Sequence, residues 1–227
     1  MAAGEVLAAA GMVAAAGGGV IVGSYWTRRA NEQLVQRLHT DELTLLPNRL
    51  GYQREMARRA AAGEGYALGF VDLDHFKAVN DRLGHDAGDE VLREFAGRLI
   101  EVVGPPTGFV ARLQGDEFVV VLPALSVDQT VAHVMAIHED TALPMVVDGH
   151  WMFPWASIGF ALAEPGEAPR QVLRRAEAAM YRAKRTESGF ALFDPEADVV
   201  APASERRPRR RQRDVAAADR QRGVAAA

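Results

Sequence analysis

The sequence contains no cysteine. Disulfide frameworks, thiolate nucleophiles and cysteine-ligated zinc are therefore excluded. Residues 201–227 lack any apolar period and cannot build a core. No basic residue precedes the first long uncharged run, so that run lacks the positive start of an export signal. The rest is ordinary in composition. Of 227 residues, 48% are apolar and 25% charged, enough for one domain of about 150 residues with extensions. Charge is placed unevenly. Residues 201–227 hold eight Arg and three acids, a net of +5, and the whole chain carries −4, so residues 1–200 carry −9.

The uncharged run is Val6 to Trp26, VLAAAGMVAAAGGGVIVGSYW. About twenty such residues can span a bilayer. Arg28-Arg29 follow it, which places the C-terminal side in the cytoplasm, and Tyr25-Trp26 sit where interfacial aromatics belong. The expectation is a single-pass anchor within residues 1–27, in the inner (cell) membrane of a bacterium, with the remainder cytoplasmic. A signal peptide or a peripheral helix are the rivals. Thr27 to Asp41 reads as a helix with Leu34 and Leu38 one turn apart, too short to claim a coiled coil. Residues 28–41 are thus a coupling helix or a plain spacer. In the tail, residues 197–227, the run Arg206 to Arg213 suits anionic lipid or nucleic acid. A solvated disordered tail is the alternative, and no nucleic-acid partner is expected of the chain as a whole.

Between these ends, two stretches carry carboxylates at the ends of apolar strands. Phe109 to Leu122, FVARLQGDEFVVVL, reads as a hairpin turning at Gln114-Gly115, with Asp116 and Glu117 at the head of the second strand. Neighbouring strand residues point to opposite faces, so only one of the two acids can face a given ligand. Upstream, Tyr66 to Lys77, YALGFVDLDHFK, runs through a continuous apolar stretch into Asp72-Leu73-Asp74. Such a run suits a strand covered on both faces. Hard oxygen ligands from two strand ends suit Mg²⁺, which keeps few protein carboxylates and takes its other ligands from water and phosphate. That combination points to nucleotide chemistry.

VDLDHFKAVNDRLGHDAGDEVL (Val71 to Leu92) and ARLQGDEFVVVLP (Ala111 to Pro123) resemble the GGDEF family of diguanylate cyclases, with the signature loop present as QGDEF. LTLLPNR (Leu43 to Arg49), SIGFA (Ser157 to Ala161) and AEAAMYRAK (Ala176 to Lys184) match in the same order. The resemblance implies an α/β (α+β) domain over residues 42–196. Its fold would be a palm-type, ferredoxin-like nucleotidyl cyclase domain with a central antiparallel hairpin. The pattern β-α-α-β-β-α-β-β-α-β read along the chain is consistent with a split βαβ core. That reading has a helix from Arg49 to Ala62, a break over Gly84–Gly88, a helix from Asp89 to Val103, and strands Met145–Val147 and Trp151–Ala163 around Asp148-Gly149.

The resemblance further implies condensation of two GTP into cyclic di-GMP by a homodimer in which each domain holds one GTP. Asp72, the Leu73 carbonyl and Asp116 would hold Mg²⁺ or Mn²⁺, with Asp116 also near the attacking hydroxyl as base. Glu117 would face a neighbouring cation or second metal, and Lys77 would meet the phosphates. Asn80 and Asp89 would read the guanine edge with His85 in the same pocket, and Lys184 would contact the β- and γ-phosphates. Each has a plainer reading: Asp89 as a helix N-cap, Asp72 and Asp74 as strand-end acids, the lysines as solvated charges. Four departures from the family pattern stand out. Gln114 replaces the leading glycine of the signature, and Leu45 replaces a glycine in LTLLPNR. The R-x-x-D of product inhibition would fall on Pro105 and Gly108 and is absent. Ser188 stands where a basic residue is expected, leaving Arg182 or Arg185 to compensate.

Overall fold

The computed structural model describes residues 37–106, 108–164 and 166–200. The expected membrane segment, most of the coupling helix and residues 201–227 lie outside them. Among the described residues no helix is long and apolar enough to cross a membrane. At the described end of the coupling segment the helix stops before the expected end at Asp41. Among the described residues of that segment Arg37 and Leu38 are helical, and Thr40 pairs with Pro47 in an isolated antiparallel bridge.

Helix α1 (Arg49–Ala62) starts at Asn48, whose side-chain oxygen accepts from the N–H groups of Leu50 and Gly51. Strand β1 (Tyr66–Leu73) follows, buried at all eight positions. Helices α2 (Phe76–Leu83) and α3 (His85–Val103) come next, then the hairpin β2 (Phe109–Gln114) and β3 (Glu117–Pro123). Helix α4 (Val127–Thr141) opens on a capping box between Ser126 and Gln129. Strands β4 (Met145–Val147), β5 (His150–Met152) and β6 (Ala156–Leu162), helix α5 (Pro169–Thr186) and β7 (Phe190–Leu192) complete the domain.

The main sheet has the order β2-β3-β1-β6-β7, antiparallel except for the parallel β6–β7 pair. Its first four strands have the order and directions of a ferredoxin-like split βαβ fold, as expected. Alternation along β1 explains the two layers. Ala67, Val71 and Leu73 pack with Val91, Phe95 and Leu99 of α3 and Ile137 of α4. Tyr66, Leu68 and Phe70 pack with Tyr52 and Met56 of α1 and Ala176 and Met180 of α5. An uninterrupted apolar strand is what a sheet covered on both faces requires.

Three boundaries differ from the sequence reading. Residues 151–163 are not one strand. Pro154 cannot donate to a ladder, and Phe153-Pro154-Trp155 divide β5, paired only with β4, from β6 in the main sheet. The break between α2 and α3 is confined to Gly84 (φ 89°), and α3 already begins at His85. Asp89 therefore lies in the second turn of α3 and is not its cap. The hairpin turn is Gly115-Asp116, because Gln114 pairs with Glu117.

Candidate active site

The carboxyl end of β1 carries the first part of the site. Asp72 pairs with Glu117 on β3 and with Ser157 on β6. Directly paired residues in a sheet share a face, so Asp72, Glu117 and Ser157 form one row beneath the end of α5. Glu117 is thus the acid of the signature that lies beside Asp72 in the sheet, while Asp116 occupies the turn above it. Leu73 donates its N–H to the Asp116 carbonyl at 3.3 Å. In an antiparallel ladder a residue's N–H and C=O lie on the same side, so the Leu73 carbonyl also looks toward that turn.

The turn is built without strain. Gly115 has φ +56°, and neither Gln114 nor Asp116 is among the residues of positive φ. That sign pattern is the one a II′ hairpin turn places on a glycine at its first central position. Gln114 is an ordinary, exposed strand residue that closes the hairpin. The ladder slips by one residue at Leu113, a β-bulge that sinks the Leu113 side chain into the core.

Arg112 braces this turn. Its Nε donates to the Gly115 carbonyl at 2.9 Å, its guanidinium meets Asp41 Oδ1 at 2.9 Å, and its backbone N–H donates to the Pro47 carbonyl. Asp41 also accepts from the Thr44 backbone and hydroxyl. Burial raises the Asp41 pKa, but the Thr44 hydrogen bonds and Arg112 outweigh it and hold the carboxyl below its usual range. The LTLLPNR stretch is thereby tied to the signature turn. Neither Arg112 nor Asp41 was expected in the site.

On the α5 side, the Lys184 ammonium lies 2.5 Å from Asp72 Oδ1 and 3.2 Å from Asp74 Oδ1. Asp74 in turn accepts from the Ser157 hydroxyl at 3.0 and 3.1 Å. Burial lowers the Lys184 pKa, but the hydrogen bond and charge of Asp72, with those of Asp74, more than reverse this and raise it. His75, at φ +57°, turns the chain so that α2 starts directly after Asp74. The unpaired first-turn N–H groups of such a helix favour anions.

Gly88 packs against Asn80, and Asp89 is the next residue of α3. A Cβ on Gly88 would stand 1.9 Å from Asn80 Oδ1, so any larger residue there would displace the Asn80 amide. His85 opens α3 and is exposed. Lys77 is not drawn to the carboxylates: its ammonium pairs with Asp81 on the exposed side of α2. Lys77 and Lys184 are the only lysines in the chain; every other cationic side chain of the Lys/Arg type is Arg. That choice at two positions was a legible signal.

Two carboxylates and a carbonyl at one sheet end are hard donors that fit Mg²⁺ or Mn²⁺. Among the described residues no three His, Asp or Glu side chains converge as a ready cage. A groove of about 470 Å³ between α3 and the β4–β5 hairpin, lined by Glu90, Glu94, Arg98 and Trp151, includes none of these residues.

The sequence profile described as "Diguanylate cyclase, GGDEF domain" matches residues 38–189. The chain belongs to the GGDEF family. It is similar to diguanylate cyclase DgcP of Pseudomonas aeruginosa, 40% identical over 157 residues, covering 66% of this chain and 23% of that protein. Cyclic di-GMP phosphodiesterase NbdA of the same species is 34% identical over 171 residues, covering 72% of this chain and 22% of that protein. The chain thus spans about a quarter of the length of these relatives. Among solved structures, the coiled coil and GGDEF domain of DgcB from Caulobacter crescentus, in complex with c-di-GMP, superposes with a TM-score of 0.68 at 29% identity. It covers 76% of this chain and 95% of that one. The GGDEF domain of TpbB from P. aeruginosa gives 0.64 at 37% identity, covering 69% and 95%.

At position 188, where the GGDEF pattern expects a basic residue, the neighbouring arginines are drawn toward Asp198. Arg182 binds Asp198 at 2.7 Å and the Leu192 carbonyl at 2.6 Å. Arg185 lies near enough to Asp198 to help lower its pKa. The Ser188 hydroxyl donates to the Phe190 carbonyl and accepts from Thr186. Leu45 keeps a left-handed backbone, φ +59°. That backbone region is the one that favours glycine, the residue the family pattern has here.

Proposed function

We propose that the protein is a diguanylate cyclase, joining two GTP into cyclic di-GMP and releasing one pyrophosphate for each bond formed. The observation that carries this reading is the meeting of Asp72 and the Asp116 turn at one end of the β1–β3 pair. Each 3′-hydroxyl attacks the α-phosphorus of the other GTP, so two domains face each other as a homodimer. Asp72, the Leu73 carbonyl and Asp116 would hold Mg²⁺ or Mn²⁺, and the bound ion would supply charge neutralisation at the phosphates and a lower pKa for the attacking hydroxyl. Asp116 accepts the hydroxyl proton, and Glu117 screens a cation beside it. Lys184 and Lys77 meet the phosphates and stabilise the charge on the leaving pyrophosphate; Lys77 leaves Asp81 to do so. Asp89 accepts from the guanine N1–H and exocyclic amine. Asn80 and His85 complete that edge.

In this reading residues 42–196 are the catalytic domain. Residues 6–26 anchor it to the cell membrane, residues 28–41 couple the two, and the Arg-rich tail meets anionic lipid. A second reading has one observation in its favour. The Ser188 hydroxyl and Arg182 are engaged elsewhere, which weakens the grip on the terminal phosphates. The domain would then be a GTP-binding regulatory module with impaired turnover.

The deciding experiment incubates purified protein with GTP and Mg²⁺ and separates the products by chromatography. Cyclic di-GMP in the parent, reduced at least about 10²-fold by Asp116→Asn, supports the cyclase. GTP binding without product supports the regulatory module.

A further inference from the structure

The Lys184 ammonium does not stand beside the carboxylates at a distance suited to a later phosphate. It is hydrogen-bonded to Asp72 and shares its charge with Asp74. The Asp72 side chain is only 8% exposed and Lys184 39%, so the ion pair closes the α5 side of Asp72. Asp74 is itself fixed by the Ser157 hydroxyl through both carboxylate oxygens. Apart from Lys77, every other cation of the Lys/Arg type in the chain is Arg, yet position 184 is Lys. An ammonium is a compact point charge, whereas a guanidinium would clamp a carboxylate through two parallel bonds.

The geometry points to Lys184 as a resident counter-ion that competes with the metal for Asp72, with Asp74 and Ser157 forming the seat to which the ammonium withdraws. The inference rests on the reading of Asp72 as a metal ligand. Without nucleotide, Lys184 neutralises Asp72 and weakens metal binding there. When a metal takes Asp72, the ammonium keeps Asp74 and turns its remaining donors to the phosphates. Metal loading is thereby linked to nucleotide arrival, because the phosphates supply what Lys184 loses. Asp74 and Ser157 are positioning residues: they act on the metal only through the lysine.

The test measures Mn²⁺ binding to the nucleotide-free protein by the loss of the free-ion paramagnetic resonance signal. Only the site abolished by Asp72→Asn is counted, and circular dichroism verifies folding of each variant. Lys184→Met removes the competitor, and Mn²⁺ affinity rises about tenfold, the scale of one charge-assisted hydrogen bond. Lys184→Arg clamps Asp72 and lowers affinity below the parent's. Asp74→Asn leaves the ammonium with Asp72 alone and also lowers affinity, but has no such effect in a Lys184→Met background. Ser157→Ala shifts affinity in the same direction as Asp74→Asn, by less. Unchanged or weaker Mn²⁺ binding in folded Lys184→Met overturns the inference, as does the absence of a site that depends on Asp72. The readout needs no turnover. A protein that makes no cyclic di-GMP but shows this pattern refutes the cyclase reading and leaves the counter-ion standing.

Discussion

Replacing Leu45 with glycine should stabilise the protein. Leu45 sits at φ +59° in the turn that Asp41 and Leu46 close, its N–H donating to the Asp41 carbonyl at 2.9 Å. A Cβ in this region meets the following carbonyl, a strain of roughly 1–2 kcal/mol. The leucine side chain is 76% exposed, so little burial offsets that strain. Glycine relieves it but gains conformational freedom in the unfolded chain, returning about 0.5–1 kcal/mol. The balance is a stabilisation of about 0.5–1 kcal/mol, or a rise in Tm of about 1–4 °C for a domain of this size. Urea unfolding with an unchanged m-value, alongside a thermal scan, measures it. Leu45→Ala retains the Cβ and should stay within about 0.5 kcal/mol of the parent. Gln114→Gly is the opposing control. Gln114 is paired in β2 with no positive φ, so glycine there should lose about 0.5–1 kcal/mol and bring no gain in rate. A midpoint for Leu45→Gly at or below the parent's, with Leu45→Ala above it, would refute the argument from backbone strain.

Other outcomes follow from the site. Asp89→Ala should cost about 1–3 kcal/mol in GTP binding and relax discrimination against ATP; because Asp89 is not a cap, helix content should not change, and calorimetry with circular dichroism tests both. Arg112→Leu strands Asp41 and unties the signature turn, so stability should fall by about 1–3 kcal/mol and kcat should drop further than KM rises. Arg112→Lys should not restore kcat, since an ammonium lacks the fork that reaches both Asp41 and Gly115. Asp198 is buried, which raises its pKa, yet Arg182, the Asp194 amide and Arg185 together depress it below the ordinary 3.8. Its contribution is therefore complete above pH 3.8 and lost as pH falls through the lower folded value. The stability gap between parent and Asp198→Asn, about 1–3 kcal/mol at pH 7, should narrow only in that acid range.

The fold was legible where periodicity is strong. The unbroken apolar run of β1, the stripe of α3 and the paired motifs located the sheet, its two layers and the meeting of the acidic strand ends. Turn geometry was not legible. A QGDEF string does not say which two residues form the turn; the bulge at Leu113 decides it by shifting Gln114 opposite Glu117. The apparent glycine-rich break before Asp89 misled because Gly88 serves close packing against Asn80, inside a continuous helix. Long-range partners were hidden for a different reason. Arg112 with Asp41, and Ser157 with Asp74, lie 71 and 83 residues apart, and nothing local marks either pair. Position 45 is the converse: a leucine gives no sign of the left-handed turn its backbone makes, so composition alone would have suggested an ordinary loop.

The sheet order also divides the site by how readily its parts open. Strand β1 is flanked by ladders on both sides, to β3 and to β6, and so its amides can exchange with solvent only when the whole sheet comes apart. Asp72 and Leu73 are mounted on that slowest element. Asn80, proposed to read the base, is mounted on α2, an eight-residue helix with no fully buried residue and no side-chain cap at its start. Its amides should exchange many orders of magnitude sooner than those of Leu68 to Val71. The carboxylate end of the site is thus held in place on the timescale of global unfolding. In the proposed reading the α2 side of the nucleobase end fluctuates on its own and is ordered by what it grips, so recognition through Asn80 would draw on folding free energy that the Asp72 end would not.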